Sequence, residues 1–221
     1  MVIAGAGRGT RLGRKLPKQF VAIAGQPVLV RTVRIFDRLK DIDAIVVVAP
    51  QAFVARARSM LRKAGISKVV AVVPGGRERQ SSVRAGLEAF SERPEFVLVH
   101  DAVRPFIRAR TVRKVIAATK RFGAAVVGVR VTDTIKEGNV KGFYIKTLQR
   151  DRLWAVQTPQ GFRFSVLLAA QKAASRVGFS GTDEASLLEW RGIPVRIVEG
   201  EHDNVKITTK EDLESAKFRL K

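Results

Sequence analysis

The chain has 221 residues, 46% of them hydrophobic, with no cysteine and two histidines. That length suits one large domain with a full core, and the composition excludes disulfides, thiolate chemistry, cysteine-based zinc sites and a histidine-rich metal centre. A formal net charge of +21 raises the question of a nucleic-acid partner. The basic residues are scattered over predicted helices with few aromatics to stack bases, so a solvated basic surface that attracts phosphorylated ligands is preferred and nucleic acid is not expected. No apolar run nears the ~20 residues of a membrane helix and no signal-peptide succession opens the chain; a cytoplasmic protein with no membrane partner is expected.

Val2 to Ala4 is a short apolar strand running into Gly5-Ala6-Gly7-Arg8-Gly9-Thr10-Arg11-Leu12-Gly13, closed by Leu16-Pro17-Lys18-Gln19-Phe20. Alternating glycines let the backbone bring bare N–H groups against a ligand, and Arg11 and Lys18 add positive charge, so the stretch reads as a phosphate cradle. No register supplies the Walker spacing, and the Rossmann fingerprint would need a glycine at Thr10 or Leu12. Gly7-x-Gly9-Thr10-Arg11-Leu12 followed by Pro17-Lys18-Gln19 resembles the loop with which sugar-nucleotide pyrophosphorylases and cytidylyltransferases wrap a nucleoside triphosphate.

Pro27 opens a predicted helix with Val28, Leu29, Thr32, Val33 and Phe36 on one face, and Ala44 to Ala49 is a strand-length apolar run stopped by Pro50. A helix (Phe53, Ala57, Met60, Leu61, Ala64) ends at Gly65, and Val69 to Val73 is the next strand. Pro74-Gly75-Gly76-Arg77-Glu78-Arg79-Gln80-Ser81-Ser82-Val83 then opens a helix, where free N–H groups with Gly75, Gly76, Arg79 and Ser82 can meet a polar ligand. Phe96 to Val99 runs into His100-Asp101-Ala102-Val103-Arg104-Pro105. An aspartate at the carboxyl end of a central strand points into the crevice where a nucleotide and its magnesium would lie, and Arg104 could answer a phosphate. For His100 a packed, hydrogen-bonded role is favoured over catalysis. This alternation of helices and buried-type strands predicts a mostly parallel sheet with helices on both faces.

The alternation breaks after the strand Ala124 to Val129. Thr132-Asp133-Thr134-Ile135-Lys136, a turn-rich piece and the strand Phe143 to Leu148 form a hairpin that no helix covers, and such arms are commonly hidden against a partner subunit. Arg150, Leu153, Trp154 and Gln157-Thr158-Pro159-Gln160-Gly161-Phe162 return the chain to the body. A helix over Ser165 to Arg176, a helix capped by Thr182, a strand Val195 to Val198 and a final helix opened by Thr209 complete it.

Taken nearly end to end, these stretches resemble the 2-C-methyl-D-erythritol 4-phosphate cytidylyltransferase family. The resemblance rests on the glycine loop, Gly75-Gly76 with Arg79 and Ser82, His100 to Pro105, Asp133-Thr134-Ile135-Lys136, Leu153-Trp154 through Thr158-Pro159-Gln160, Thr182-Asp183-Glu184-Ala185-Ser186, and Asn204-Val205-Lys206-Ile207-Thr208. The lead-in Val2 to Ala4 is shorter than in such relatives, and Ala4-Gly5-Ala6-Gly7 replaces the family's usual Pro-Ala-Ala-Gly.

The resemblance implies a single Rossmann-like α/β nucleotidyltransferase domain over residues 1–221 with a dimerisation arm at about 132–153. It further implies CTP held by Gly5, Ala6, Gly7, Gly9, Arg11, Lys18, Gly76, Ser82, Asp101 and Ala102, and methylerythritol phosphate held by Asp101, Arg104, Thr134, Arg150 and Lys206. Catalysis would fall to Arg11, Lys18, Arg150 and Lys206. A magnesium ion, or another divalent cation, would be held mostly by the CTP phosphates with Asp101 as its protein ligand, and the arm would be exchanged across a homodimer. Ribitol 5-phosphate cytidylyltransferase is the nearest alternative. The residue inventory suits this chemistry, because a phosphate monoester is already an anionic nucleophile and needs no general base.

Overall fold

The computed structural model describes residues 1–7 and 16–220. β1 (Val2–Ala4) is followed by a helical turn at Lys18–Phe20 and a small hairpin of β2 (Ala22–Ile23) and β3 (Gln26–Pro27). Next come α1 (Val28–Asp37), β4 (Ile45–Ala49), α2 (Val54–Lys63), β5 (Val69–Pro74), α3 (Arg79–Glu88), β6 (Phe96–Asp101), α4 (Ala109–Phe122) and β7 (Ala124–Arg130). The remainder consists of the hairpin β8 (Lys136–Gly138) and β9 (Tyr144–Thr147), then β10 (Trp154–Arg163), α5 (Phe164–Val177), α6 (Glu184–Trp190), β11 (Arg196–Glu199) and α7 (Lys210–Phe218).

Seven strands form one sheet in the order β11-β7-β10-β6-β1-β4-β5, with β10 antiparallel to both its neighbours and the other pairs parallel. The period of two along each strand sorts the core into two layers. Ile3, Val47 and Leu98 face the apolar stripes of α1, α2 and α4, while Val2, Val48, Val97 and Val99 face α3, α5 and α6. Burial on both faces explains why β4 reads as an unbroken apolar run; each fully buried Leu, Ile or Phe contributes roughly 1.5–3 kcal/mol. A third, smaller cluster packs Ile207 and α7 residues Leu213 and Ala216 against Val21, Ile23, Val28 and Val103. It anchors the segment that carries Lys206. Among the described residues no helix is long and apolar enough to cross a membrane.

Two features depart from the sequence reading. Residues 154–163, read as a return to the body, are a ten-residue strand in the middle of the sheet. Gln157, Thr158 and Gln160 look like turn residues, yet they are buried and satisfied from other elements: Gln160 Nε2 donates to Asp183 Oδ2 at 2.7 Å and Asn204 Nδ2 donates to Gln157 Oε1 at 2.8 Å. The cap of α6 is Asp183 rather than Thr182, because the Asp183 carboxylate is the group that accepts from Ser186 N, at 2.9 Å, in a reciprocal capping box. Thr209 caps α7 as expected. The β8–β9 hairpin pairs Lys136 with Thr147 and Glu137 with Lys146, and its Phe143, Tyr144 and Ile145 stand 58–78% exposed.

Candidate active site

Chain connections leave β1 toward β4 and β5 on one side and then cross to β6 on the other, with α1 and α2 on one face and α3 on the opposite one. At this reversal, beyond the carboxyl ends of β1, β4, β5 and β6, lies a cleft of about 1260 Å³, the position at which open α/β sheets bind ligands. Its walls are Ala4 to Gly7, Pro17 to Gln19, Pro50 to Phe53, Gly75 to Arg79, Ser82, Asp101, Val103 and Lys206.

Gly5 and Gly75 are among the cleft glycines required by close approach. Gly5 donates to Val48 O at 2.8 Å, and a Cβ there would lie 2.9 Å from both Val48 O and Ala102 Cβ. At Gly75 a Cβ would collide with Ala6 Cβ and come within 2.7 Å of Ser82 Oγ. Gln19 is buried, and its Nε2 donates to the carbonyls of Gly5 at 2.5 Å and Gly7 at 3.3 Å, clamping the entry to the glycine loop. The adjacent Phe20 stacks on Phe53 at 5.1 Å between centroids. Across the cleft, α3 begins with a capping box between Glu78 and Ser81, so its N-terminal dipole faces the same space.

The floor is a carboxylate ringed by cations. Asp101 Oδ2 is 2.8 Å from Lys206 Nζ and 3.5 Å from Arg104 Nε, and its Oδ1 is 3.5 Å from Arg79 Nη2. Burial alone would raise the Asp101 pKa, but Lys206, Arg79 and Arg104 outweigh it and hold the carboxyl well below the usual range. Arg79 in turn meets Glu184, and Arg104 Nη1 donates to Asn204 O at 2.7 Å. Among the described residues no group of three His, Cys, Asp or Glu side chains could hold a metal ion. A lone cleft-floor carboxylate suits a magnesium held chiefly by ligand phosphates and water, not a protein-built cage.

His100 is buried beneath this floor. Its Nε2 lies 3.1 Å from Arg104 O, which can only accept, so Nε2 carries the proton and Nδ1 accepts from Thr158 Oγ1 at 3.0 Å. Thr158 Oγ1 also accepts from Asp101 N, tying β10 to β6. Burial lowers the His100 pKa to about 4. With the folded value below the unfolded one, the contribution to stability is complete above about pH 6.5 and is lost as pH falls toward 4, at about 1.4 kcal/mol per unit. Denaturant titrations from pH 7 to 4 are expected to show this decline, and His100→Gln to flatten it over that window; an unchanged slope in the variant would refute the assignment.

Of the residues singled out from sequence, Gly5, Ala6, Gly7, Lys18, Gly76, Ser82, Asp101 and Lys206 line the cleft. Gly9 and Arg11 lie outside the described residues. Ala102 is fully buried behind the wall, its N–H donating to Ala4 O and its carbonyl accepting from Thr32, and Arg104 reaches the cleft through Asp101. Thr134 and Arg150 are exposed at the hairpin and its base, away from the cleft lining, with Arg150 Nη1 donating to Thr132 O at 2.8 Å. Sequence reasoning did not single out Gln19, Glu184 or Asn204 by role, although each sits in a quoted motif; their signal is a polar residue at a position that folding buries.

A glycine-walled cleft at the switch point of a mostly parallel sheet, floored by cations around one carboxylate, defines an α/β nucleotidyltransferase. The sequence matches the family model for 2-C-methyl-D-erythritol 4-phosphate cytidylyltransferase over residues 1–221. It is 44% identical over 213 residues to the enzyme of that name from Geobacillus kaustophilus, covering 96% of this chain and 92% of the relative. Its fold is similar to crystal structures of 4-diphosphocytidyl-2C-methyl-D-erythritol synthase from Anaerococcus prevotii (TM-score 0.88, 30% identity, 99% and 94% of the two chains) and 2-C-methyl-D-erythritol 4-phosphate cytidylyltransferase from Francisella tularensis (TM-score 0.83, 33% identity, 99% and 98%). The chain belongs to the 2-C-methyl-D-erythritol 4-phosphate cytidylyltransferase family and is a CTP-dependent nucleotidyltransferase.

Proposed function

We propose that this cleft performs the family's reaction: CMP passes from CTP to 2-C-methyl-D-erythritol 4-phosphate, giving 4-diphosphocytidyl-2-C-methyl-D-erythritol and pyrophosphate. The observation that carries the reading is the meeting, in one cleft, of glycine backbone, the α3 N-terminus, Lys18 and the cations Arg79 and Lys206 around Asp101. An oxygen of the acceptor phosphate forms a bond to the α-phosphorus as the bond to the bridging oxygen of pyrophosphate breaks. The nucleophile is already anionic, so the difficulty is charge rather than proton removal.

In this reading Gly5, Ala6, Gly7, Gly76 and Ser82 frame the cytosine and phosphates. Lys18, with Arg11, faces the reacting and departing phosphates, and Lys206, Asp101 and Arg104 hold the acceptor. Asp101 would be the protein ligand of a magnesium ion brought with the triphosphate, which would supply further neutralisation of phosphate charge. The exposed apolar residues of the hairpin support a homodimer in which Thr134 and Arg150 of each arm serve the other subunit's cleft. We assign the reaction to the cytoplasm.

Pyrophosphate release tests the reading. CTP with methylerythritol phosphate is expected to exceed both CTP with ribitol 5-phosphate and any purine triphosphate, because a fixed polar frame leaves buried groups unpaired against a wrong base. Comparable kcat/KM for CTP and ATP would refute it.

A further inference from the structure

Glu184 opens α6 with its side chain 1% exposed, and both carboxylate oxygens accept from Arg79 Nη1 at 2.6 Å. Arg79 opens α3, is 27% exposed and lines the cleft. Its other terminal nitrogen, Nη2, stands 3.5 Å from Asp101, whereas Lys206 Nζ approaches Asp101 to 2.8 Å. Arg79 is thus held tightly by a carboxylate outside the reaction and loosely by the one on the cleft floor. We infer that Glu184 is a positioning residue for the cytidylyl transfer: it holds the Arg79 guanidinium on the cleft wall, off Asp101, and so leaves Asp101 to fix Lys206. The inference rests on the proposed role of the cleft.

The physical reason is competition for one carboxylate. A guanidinium prefers a bidentate or closely bonded acid. Without the Glu184 charge, the nearest acid for Arg79 is Asp101, and closing the 3.5 Å gap would set Arg79 against Lys206. A buried ion pair is weak evidence for stability, since a packed apolar pair commonly does as well. Here the pair joins the N-termini of two helices from different parts of the chain and exposes only its cationic end, to the cleft. Burial, with Asp101 and Asp183, pushes the Glu184 pKa up, and Arg79 offsets only part of that rise, so the carboxylate's charge depends on its partner; where Arg79 is absent, Glu184 loses its influence.

A double-mutant cycle separates positioning from mere packing. CTP- and methylerythritol-phosphate-dependent pyrophosphate release is measured for wild type, Glu184→Gln, Arg79→Gln and the double variant, at saturating substrates. Glu184→Gln is expected to lower kcat about tenfold, within the couplings found in ion-pair networks, and to change kcat by less than about twofold when Arg79 is already Gln. An unchanged kcat in Glu184→Gln, or the same loss in both backgrounds, overturns the inference. Should Glu184→Gln fail to accumulate folded, Glu184→Asp, which keeps the charge but withdraws it by one methylene, goes through the same cycle with the same two readings. Absence of release by the wild type overturns the reading of the cleft and this inference with it; a normal wild-type rate with additive variants overturns this inference alone.

Discussion

Lys18→Ala is expected to lower kcat by on the order of 100-fold or more with a much smaller change in KM for CTP. A charge aimed at the reacting phosphates is used mainly in the transition state, where one preorganised donor typically contributes that much. Lys206→Ala is expected to match it in kcat and also to raise KM for methylerythritol phosphate. It removes the nearest cation of Asp101, at 2.8 Å, as well as the contact to the acceptor proposed above. Steady-state kinetics in both substrates decides: a rise in KM with intact kcat would reduce either lysine to an ordinary binding group.

Mixed dimers of Lys18→Ala and Arg150→Ala chains, each nearly inactive alone, are expected to recover about a quarter of wild-type activity. A site that takes Lys18 from one protomer and Arg150 from the other is intact once in each mixed dimer; half of the dimers mix and half of their sites are good. The exposed Phe143, Tyr144 and Ile145 would supply the apolar surface for such a pairing, and Arg150 stands at the base of the same arm, outside the cleft of its own chain. Proof of mixing by mass spectrometry without recovered activity would mean that Arg150 works within its own chain.

The alternating strands and helices were legible because apolar runs such as Ile45–Ala49 are buried on both faces, and so was Gly5 at the start of the glycine loop, where Val48 O and Ala102 leave no room for a side chain. Asp101 was legible because it ends a central strand. β10 was not. Its interior polar residues copy the chemistry of turns, and the groups that satisfy them, Asp183 and Asn204, lie 23 and 47 residues further on. The same separation hid Glu184, 105 residues from Arg79: an acid after a helix cap reads as a dipole partner until folding buries it. The sequence reading places the cap of α6 at Thr182, one residue early, and only the reach of the Asp183 carboxylate to Ser186 N fixes it at Asp183.

The central location of β10 also governs how the chain is made. β1, β4, β5 and β6 leave the ribosome first and can pair as a four-stranded parallel sheet, but β7 then emerges with no neighbour to join, because the strand between it and β6 is still unsynthesised. Until residues 154–163 arrive, β6 presents an open edge carrying Val97 and Val99. A nascent chain at that stage already owns its glycine-lined wall and Asp101, yet lacks Thr158, which ties Asp101 N in place. Such an unpaired edge invites strands of neighbouring chains, so the translation interval spanning the exposed hairpin is when this protein most needs chaperone cover.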